Sequence, residues 1–193
     1  MSNLLDNLNK GISDLHPYEP GRSIDDVIAE YKPTKVVKLA SNENPLGPSP
    51  KAIEAIANAS NDLHLYPDGD SKKLKSLIAQ HESLNKNNII IGNGSNEVLE
   101  LAARAFLNKD SSALMSKHAF AVYKIVTQSC GSEIIEVPTK NWKHALEDFH
   151  KFLDDSVRVC FVANPNNPTG TYNSHNEFES MMNKIPSSVL VIL

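Results

Sequence analysis

Cysteine is almost missing from this sequence: Cys130 and Cys160 are the only two in 193 residues, and neither has a partner at Cys-x-x-Cys spacing. That excludes a disulfide framework and a thiolate metal knuckle, and leaves two small reduced thiols as the expectation. Seven histidines never fall at i, i+4 to one another, so no metal site is expected. Charge of one sign is also lacking. Nineteen basic residues against 23 acidic ones give a net charge of −4 without a run of like charge. A nucleic-acid or anionic-lipid partner is therefore not expected. No stretch approaches the roughly 18 consecutive apolar residues of a membrane-spanning helix. Met1 to Gly21 has no basic segment followed by an apolar run, so the expected location is the cytoplasm. What remains, with 40% apolar and 22% charged residues, is an ordinary water-soluble chain able to bury a core.

Before Ser49 the pattern is broken. Leu4, Leu5, Leu8, Ile12 and Leu15 suggest a short amphipathic arm that ends at His16-Pro17-Tyr18. Ser23 to Tyr31 reads as a short helix with Ile24, Val27 and Ile28 on one face, and Val36 to Leu39 as a brief strand. The Asn42-Glu43-Asn44-Pro45-Leu46-Gly47-Pro48 stretch is loop. Ser49 is expected to cap a helix starting at Pro50, and Asp70 to cap another carrying Leu74, Leu77 and Ile78 inward.

From Ile89 a strand–helix rhythm sets in. Strand Ile89-Ile90-Ile91 leads through a glycine-rich turn to a helix with Val98, Leu101, Ala102, Ala105 and Phe106 on one stripe. Strand Ala113–Met115 leads to helix Ala119–Ser129, ended by Gly131, and strand Ile134–Val137 to helix Lys143–Leu153. Strand Val159–Val162 precedes a helix opened by the capping box Ser174-x-x-Glu177, and Val189–Leu193 is again an apolar strand. Fully apolar strands alternating with helices predict an α/β fold, a parallel sheet covered on both faces. Two segments are expected: 1–48 as an arm and small-domain piece, and 49–193 as the first part of a large domain. An apolar strand with nothing after it leads us to expect a fragment of something longer, with exposed sheet and a tendency to aggregate.

Three places could carry chemistry. Gly92-Asn93-Gly94-Ser95-Asn96-Glu97 follows a strand and opens a helix, where backbone N–H groups suit a phosphate. Glu97 stands where a dinucleotide fingerprint wants its third glycine, so the alternatives are a mononucleotide-sized phosphate site or an ordinary tight turn. Asn164-Pro165-Asn166-Asn167-Pro168-Thr169-Gly170 is a stiff loop that could aim an asparagine amide at a ligand. Phe120, near the next helix start, could stack on a flat ring or simply fill core.

The loop Leu39–Gly47, the run Tyr66-Pro67-Asp68-Gly69, Gly92–Glu97 and Asn164–Gly170 occur in that order. Together they resemble the first half of a pyridoxal-phosphate-dependent class I/II aminotransferase. Within that family they are most similar to the histidinol-phosphate aminotransferases, which carry the Asn-Glu-Asn-Pro loop and the Tyr-Pro-Asp signature. The resemblance spans nearly the whole sequence and implies a fold-type-I large domain, incomplete here. It implies that Gly94, Ser95 and Asn96 hold the phosphate of pyridoxal 5'-phosphate, that Phe120 stacks on the pyridine ring where many relatives have Tyr, and that Asn167 meets the ring's phenolic oxygen. Tyr66 would reach a neighbouring cofactor across a homodimer, and Tyr18 and Asn42 would line the substrate side.

The implied reaction exchanges histidinol phosphate and 2-oxoglutarate for imidazole-acetol phosphate and glutamate, in histidine biosynthesis. The same likeness puts the aspartate for the ring nitrogen, the Schiff-base lysine and the substrate arginines beyond Leu193. Ser83-Leu84-Asn85-Lys86 matches Ser-x-x-Lys literally, but it lies in a polar linker, and Lys86 is expected to be an ordinary solvated lysine. The alternatives are a sister enzyme, such as an aromatic aminotransferase or a threonine-phosphate decarboxylase, and a non-catalytic fragment.

Overall fold

The computed structural model describes Leu8, residues 11–18 and residues 20–193. The amphipathic arm expected around Leu4 and Leu5 lies outside the described residues. The chain forms two compact units: Glu19–Ile91, and Gly92–Leu193 together with the described residues up to Tyr18.

The first unit is helical. Helix α1 (Ile24–Tyr31) is capped by Ser23, whose hydroxyl accepts the Asp26 N–H at 3.0 Å. Helix α2 (Pro50–Ala59) starts where Ser49-Pro50 predicts, although the Ser49 side chain makes no cap bond. Helix α3 (Lys72–Glu82) corrects the expected cap: Asp68, not Asp70, accepts the N–H groups of Lys72 and Asp70, at 2.8 and 3.1 Å. The strand expected at Val36–Leu39 is not formed. A single strand needs a neighbour for its N–H and C=O groups, and among the described residues this unit contains no strand to pair with. Ile89–Ile91 likewise runs into the next unit without strand pairing.

The other unit is built on four parallel strands: β1 (Ser112–Ser116), β2 (Glu133–Val137), β3 (Val157–Phe161) and β4 (Leu190–Ile192), in the order β2-β1-β3-β4. β1 is buried along its whole length, which explains its unbroken apolar run. One face of the sheet is covered by α4 (Ser95–Phe106) and α5 (Ala121–Ser129), with Leu99, Ala103, Val122 and Val126 meeting Met115, Val159 and Phe161. The ring of Tyr123 stacks on Phe161 with centroids 4.7 Å apart. The other face is covered by a 3₁₀ segment (Leu146–Phe152) and by α6 (His175–Met182), through Leu146, Phe149 and Met181. The parallel sheet with helices on both faces is thus as the sequence predicts.

Three local expectations give way. The 143–153 helix is only the 3₁₀ segment. Before it, Lys140 and Lys143 exchange two backbone hydrogen bonds at 3.0 Å across a two-residue turn, Asn141 and Trp142, both at positive φ. A turn that tight leaves no room to start a helix at Lys143. Helix α5 begins at Ala121 rather than Ala119, with Phe120 as its extended N-cap residue. Helix α4 buries Leu99 and Ala103, whereas Leu101, Ala105 and Phe106 of the expected inner stripe are exposed. Both stripes are apolar on a 3.6-residue period, so periodicity could not choose between them.

Cys160 lies buried in β3, and burial pushes its thiol up to about 12; Cys130 is half-buried. The capping box opens α6 as read: Ser174 and Glu177 each accept the other's backbone N–H. Lys143, with its ammonium 2.6 Å from Glu177, and the Ser174 donors hold that carboxyl down at about 2. At the start of the chain, Gly11 adopts φ +90 and passes so close to Gln128 at the end of α5 that no Cβ would fit there. No helix among the described residues is long and apolar enough to cross a membrane.

Candidate functional site

In an open parallel sheet, ligands bind beyond the carboxyl ends of the strands, where the strand order reverses. Here the reversal falls between β1 and β3. The chain leaves β1 for α5 on one face, and leaves β3 for α6 on the other. The ladder shows the parting directly. β1 and β3 pair as far as Met115 and Phe161. Past Ser116 and Phe161 no backbone hydrogen bond joins the two, while the outer ladders run on, Lys117 N–H to Val137 O of β2 and Val162 N–H to Ile192 O of β4. The two strand ends therefore part, at the place where a fold of this class forms its binding crevice.

The Asn164–Gly170 loop and the loop that ends at Phe120 border it. The loop after β3 is held from inside by Asn166, which is 3% exposed. Its backbone N–H reaches Thr171 O at 2.8 Å, and its carbonyl accepts the Gly170 N–H at 2.7 Å. Its amide nitrogen donates to His118 O in the loop after β1, at 2.8 Å, and to Thr169 Oγ1 at 2.7 Å. The Asn166 Oδ1 is buried without a partner among the described residues. Asn167 follows it, half-buried on the same loop. Phe120 ends the loop after β1, its ring fixed between Tyr123, at 5.7 Å and nearly perpendicular, and Tyr18, at 6.4 Å.

Helix α4 brings its amino end toward the same side of the sheet. Its twelve residues make a rod of about 18 Å, which packs on the sheet through Leu99 and Ala103 and turns through Asn108–Ser111 into the start of β1. It therefore runs back along the strands, with Ser95 and Asn96 at the carboxyl-end side. Gly94, its N-cap, has φ +87 and ψ 169, supplies no cap, and has no atom of the described residues within 4 Å of where a Cβ would stand. Glu97 folds back to accept the Asn93 N–H at 2.5 Å. The Ser95 and Asn96 N–H groups have no acceptor among the described residues, so the dipole's positive end is left for an anion.

Of the residues singled out in the sequence, Tyr18 and Phe120 are thus brought into contact, and Asn167 sits on the loop that Asn166 ties to that of Phe120. Gly94, Ser95 and Asn96 form the start of α4. Asn42 and Tyr66 belong to the helical unit; Asn42 is in a tight turn at φ 52, and Tyr66 is fully exposed.

The sequence reading missed the group that bridges the crevice. His144 is 2% exposed. Its Nδ1 lies 2.6 Å from Ser116 Oγ at the end of β1, and its Nε2 lies 2.9 Å from Ala163 O just past β3. A carbonyl oxygen only accepts, so Nε2 carries the hydrogen and Nδ1 accepts from the serine hydroxyl. Burial pushes this imidazole below its ordinary value near 6.5, and the hydrogen bond to Ala163 O opposes that only in part. The sign of the pH effect follows. Between about 6.5 and the lower folded value, the unfolded chain takes up a proton that the folded ring refuses, so stability falls as pH falls through that window. We expect the urea midpoint to drop from pH 7 toward pH 5.5, and a His144→Phe variant to show a flatter slope over the same range. No isolated sequence signal marks His144; a lone histidine before Ala145 and Leu146 reads as neither core nor site.

The family model of aminotransferases of class I and II matches residues 34–193, and the chain belongs to that family. Among the curated relatives, it is 48% identical over 185 residues to histidinol-phosphate aminotransferase 2 of Pseudomonas fluorescens, a match covering 95% of this chain and 50% of that protein. To histidinol-phosphate aminotransferase 2 of Pseudomonas aeruginosa it is 45% identical over 195 residues, covering all of this chain and 53% of the relative. The chain thus spans about half the length of the curated relatives it matches. Its fold is similar to that of the histidinol-phosphate aminotransferase of Sinorhizobium meliloti, whose crystal structure is in complex with pyridoxal-5'-phosphate; the TM-score is 0.84 at 21% identity, over 96% of this chain and 50% of that one.

Proposed function

We propose that the whole protein is a pyridoxal-phosphate-dependent transaminase acting on histidinol phosphate and 2-oxoglutarate, and that this chain supplies the phosphate and ring-binding half of its site. The observation that carries this reading is the crevice between β1 and β3. It is bordered by the Asn164–Gly170 loop and the loop that ends at Phe120, with the uncapped Gly92–Glu97 start of α4 on the same side of the sheet. The names of the relatives supply the substrate.

The described residues suit the cofactor. An anion at the start of α4 would meet the free N–H groups of Ser95 and Asn96 and the Ser95 hydroxyl, with Gly94 leaving open space beside them. Phe120, its ring orientation set by Tyr18 and Tyr123, would lie against the flat pyridine, and the Asn167 amide would donate to the phenolic oxygen. When bound, pyridoxal phosphate withdraws electrons from the substrate's Cα–H bond. The work of this chain is to bind it, orient it and exclude water.

Tyr18 and Asn42 belong to the substrate side in this reading. Tyr66, wholly exposed on its own unit, would reach the cofactor phosphate of a second copy in a homodimer. Division of the chain into an arm and small-domain segment (1–48) and a large-domain segment (49–193), and a cytoplasmic location, belong to the same proposal.

The test is amino transfer by the purified whole protein with pyridoxal phosphate. Histidinol phosphate, phenylalanine and threonine phosphate are offered in parallel, and glutamate formation and carbon dioxide release are followed. The expected result is glutamate formed fastest with histidinol phosphate. Preference for phenylalanine, or decarboxylation of threonine phosphate, would overturn the substrate assignment; no turnover of any of them would overturn the enzyme assignment.

A further inference from the structure

The gap between β1 and β3 needs something to set its width. Past Ser116 and Phe161 the two strands share no backbone hydrogen bond, while each keeps its bonds to its outer neighbour. Left to itself, such a fork has no fixed opening. Two side chains span it. Asn166 crosses between the loops, amide to His118 carbonyl. His144 crosses between the strand ends themselves, with one ring nitrogen on Ser116 and the other on Ala163. An imidazole is rigid, and its two nitrogens are a fixed distance apart, so two hydrogen bonds to it fix the distance between the groups that make them.

The histidine is in turn anchored to the loop it would position. Its backbone carbonyl accepts the Asn173 amide at 3.1 Å. Asn173 and Asn164 exchange two hydrogen bonds, each 2.9 Å, and Asn164 is the residue from which the Asn167 loop departs.

We propose that His144 is a positioning residue: by bridging Ser116 and Ala163 it sets the separation of the loops that carry Phe120 and Asn167, and so the fit of the cofactor ring between them. This rests on the cofactor reading above. A merely space-filling histidine would act on stability alone. A positioning one acts on cofactor affinity and orientation, where misplacement by about 1 Å can cost roughly a hundredfold in rate.

The experiment compares the whole protein with three variants. His144→Phe fills the space without donor or acceptor, His144→Gln keeps a donor within reach of Ala163 O, and Ser116→Ala removes one bond and little volume. Each is measured by equilibrium dialysis against pyridoxal phosphate and by urea unfolding of the cofactor-free protein, so that affinity is judged only on folded material. The expected result is a Kd for pyridoxal phosphate raised about tenfold or more in His144→Phe, and about threefold in Ser116→Ala, with His144→Gln closer to the parent than His144→Phe. In turnover, kcat should fall while KM for histidinol phosphate changes little. Unchanged Kd in folded His144→Phe and Ser116→Ala, with only the urea midpoint lowered, would overturn the positioning role. Should His144→Phe fail to fold, Ser116→Ala alone decides the matter. Failure of the cofactor reading itself looks different: the parent protein would then retain no pyridoxal phosphate.

Discussion

Phe161→Ala should destabilise the sheet unit by about 3–5 kcal/mol, the range for removing a large buried aromatic from a core that cannot collapse into the hole. Phe161 is fully buried at the end of β3, stacked on Tyr123, and faces Met115 and the α4 side of the core. Its loss empties the layer that seats α4 and α5 at once, and both helices open at the crevice. Urea unfolding followed by circular dichroism checks the expectation: a marked fall in midpoint with an unchanged slope. A midpoint within experimental error of the parent would mean that the two helices are held by something other than this layer.

Gly94→Ala should have the largest effect on the anion site. At φ +87 and ψ 169, Gly94 occupies a region that L-residues essentially never adopt, at a cost of about 1–3 kcal/mol. The empty space around the missing Cβ means that the cost is one of backbone conformation and not of collision. The chain can escape it only by turning the peptide that leads into Ser95, which re-aims the free N–H groups of α4. We expect affinity for pyridoxal phosphate to fall by roughly 5- to 150-fold, the equivalent of that strain, with little change in the unfolding midpoint. Equilibrium dialysis measures the first and urea unfolding the second. Equal affinity in the variant would remove the start of α4 from the phosphate site.

Much of the frame was legible because parallel-sheet strands announce themselves. Ala113–Met115 and Val159–Val162 are apolar on both sides, Ile134–Val137 is apolar but for Glu136, and the capping box at Ser174 and Glu177 is local chemistry written in four residues. What failed, failed for want of partners. Val36–Leu39 and Ile89–Ile91 have strand composition, yet a strand exists only when another lies beside it, and composition does not name the other. Helix α4 has two adjacent apolar stripes, and the choice between Leu99 with Ala103 and Leu101 with Ala105 depends on which one faces β3. At the site, the loops were readable as motifs, since Gly94 and Asn167 sit in short runs with few other uses. His144 was not, since its role depends on Ser116, 28 residues earlier, and Ala163, 19 residues later. Contacts at that separation leave no periodic trace. Asn166 stood one residue from the asparagine that was chosen, and only burial shows that it is the one tying the loops together.

The close seat of Gly11 against Gln128 has a consequence for biosynthesis. The residues from Gly11 to Tyr18 leave the ribosome before the helix end and the Phe120 ring on which they rest, and all of Glu19–Ile91 is translated in between. At about 5–20 residues per second, the arm waits several seconds or more for its berth. During that interval all of Glu19–Ile91 emerges, a segment whose helices bury no residue, so the seat of Gly11 is built only after the segment inserted in sequence has left the ribosome.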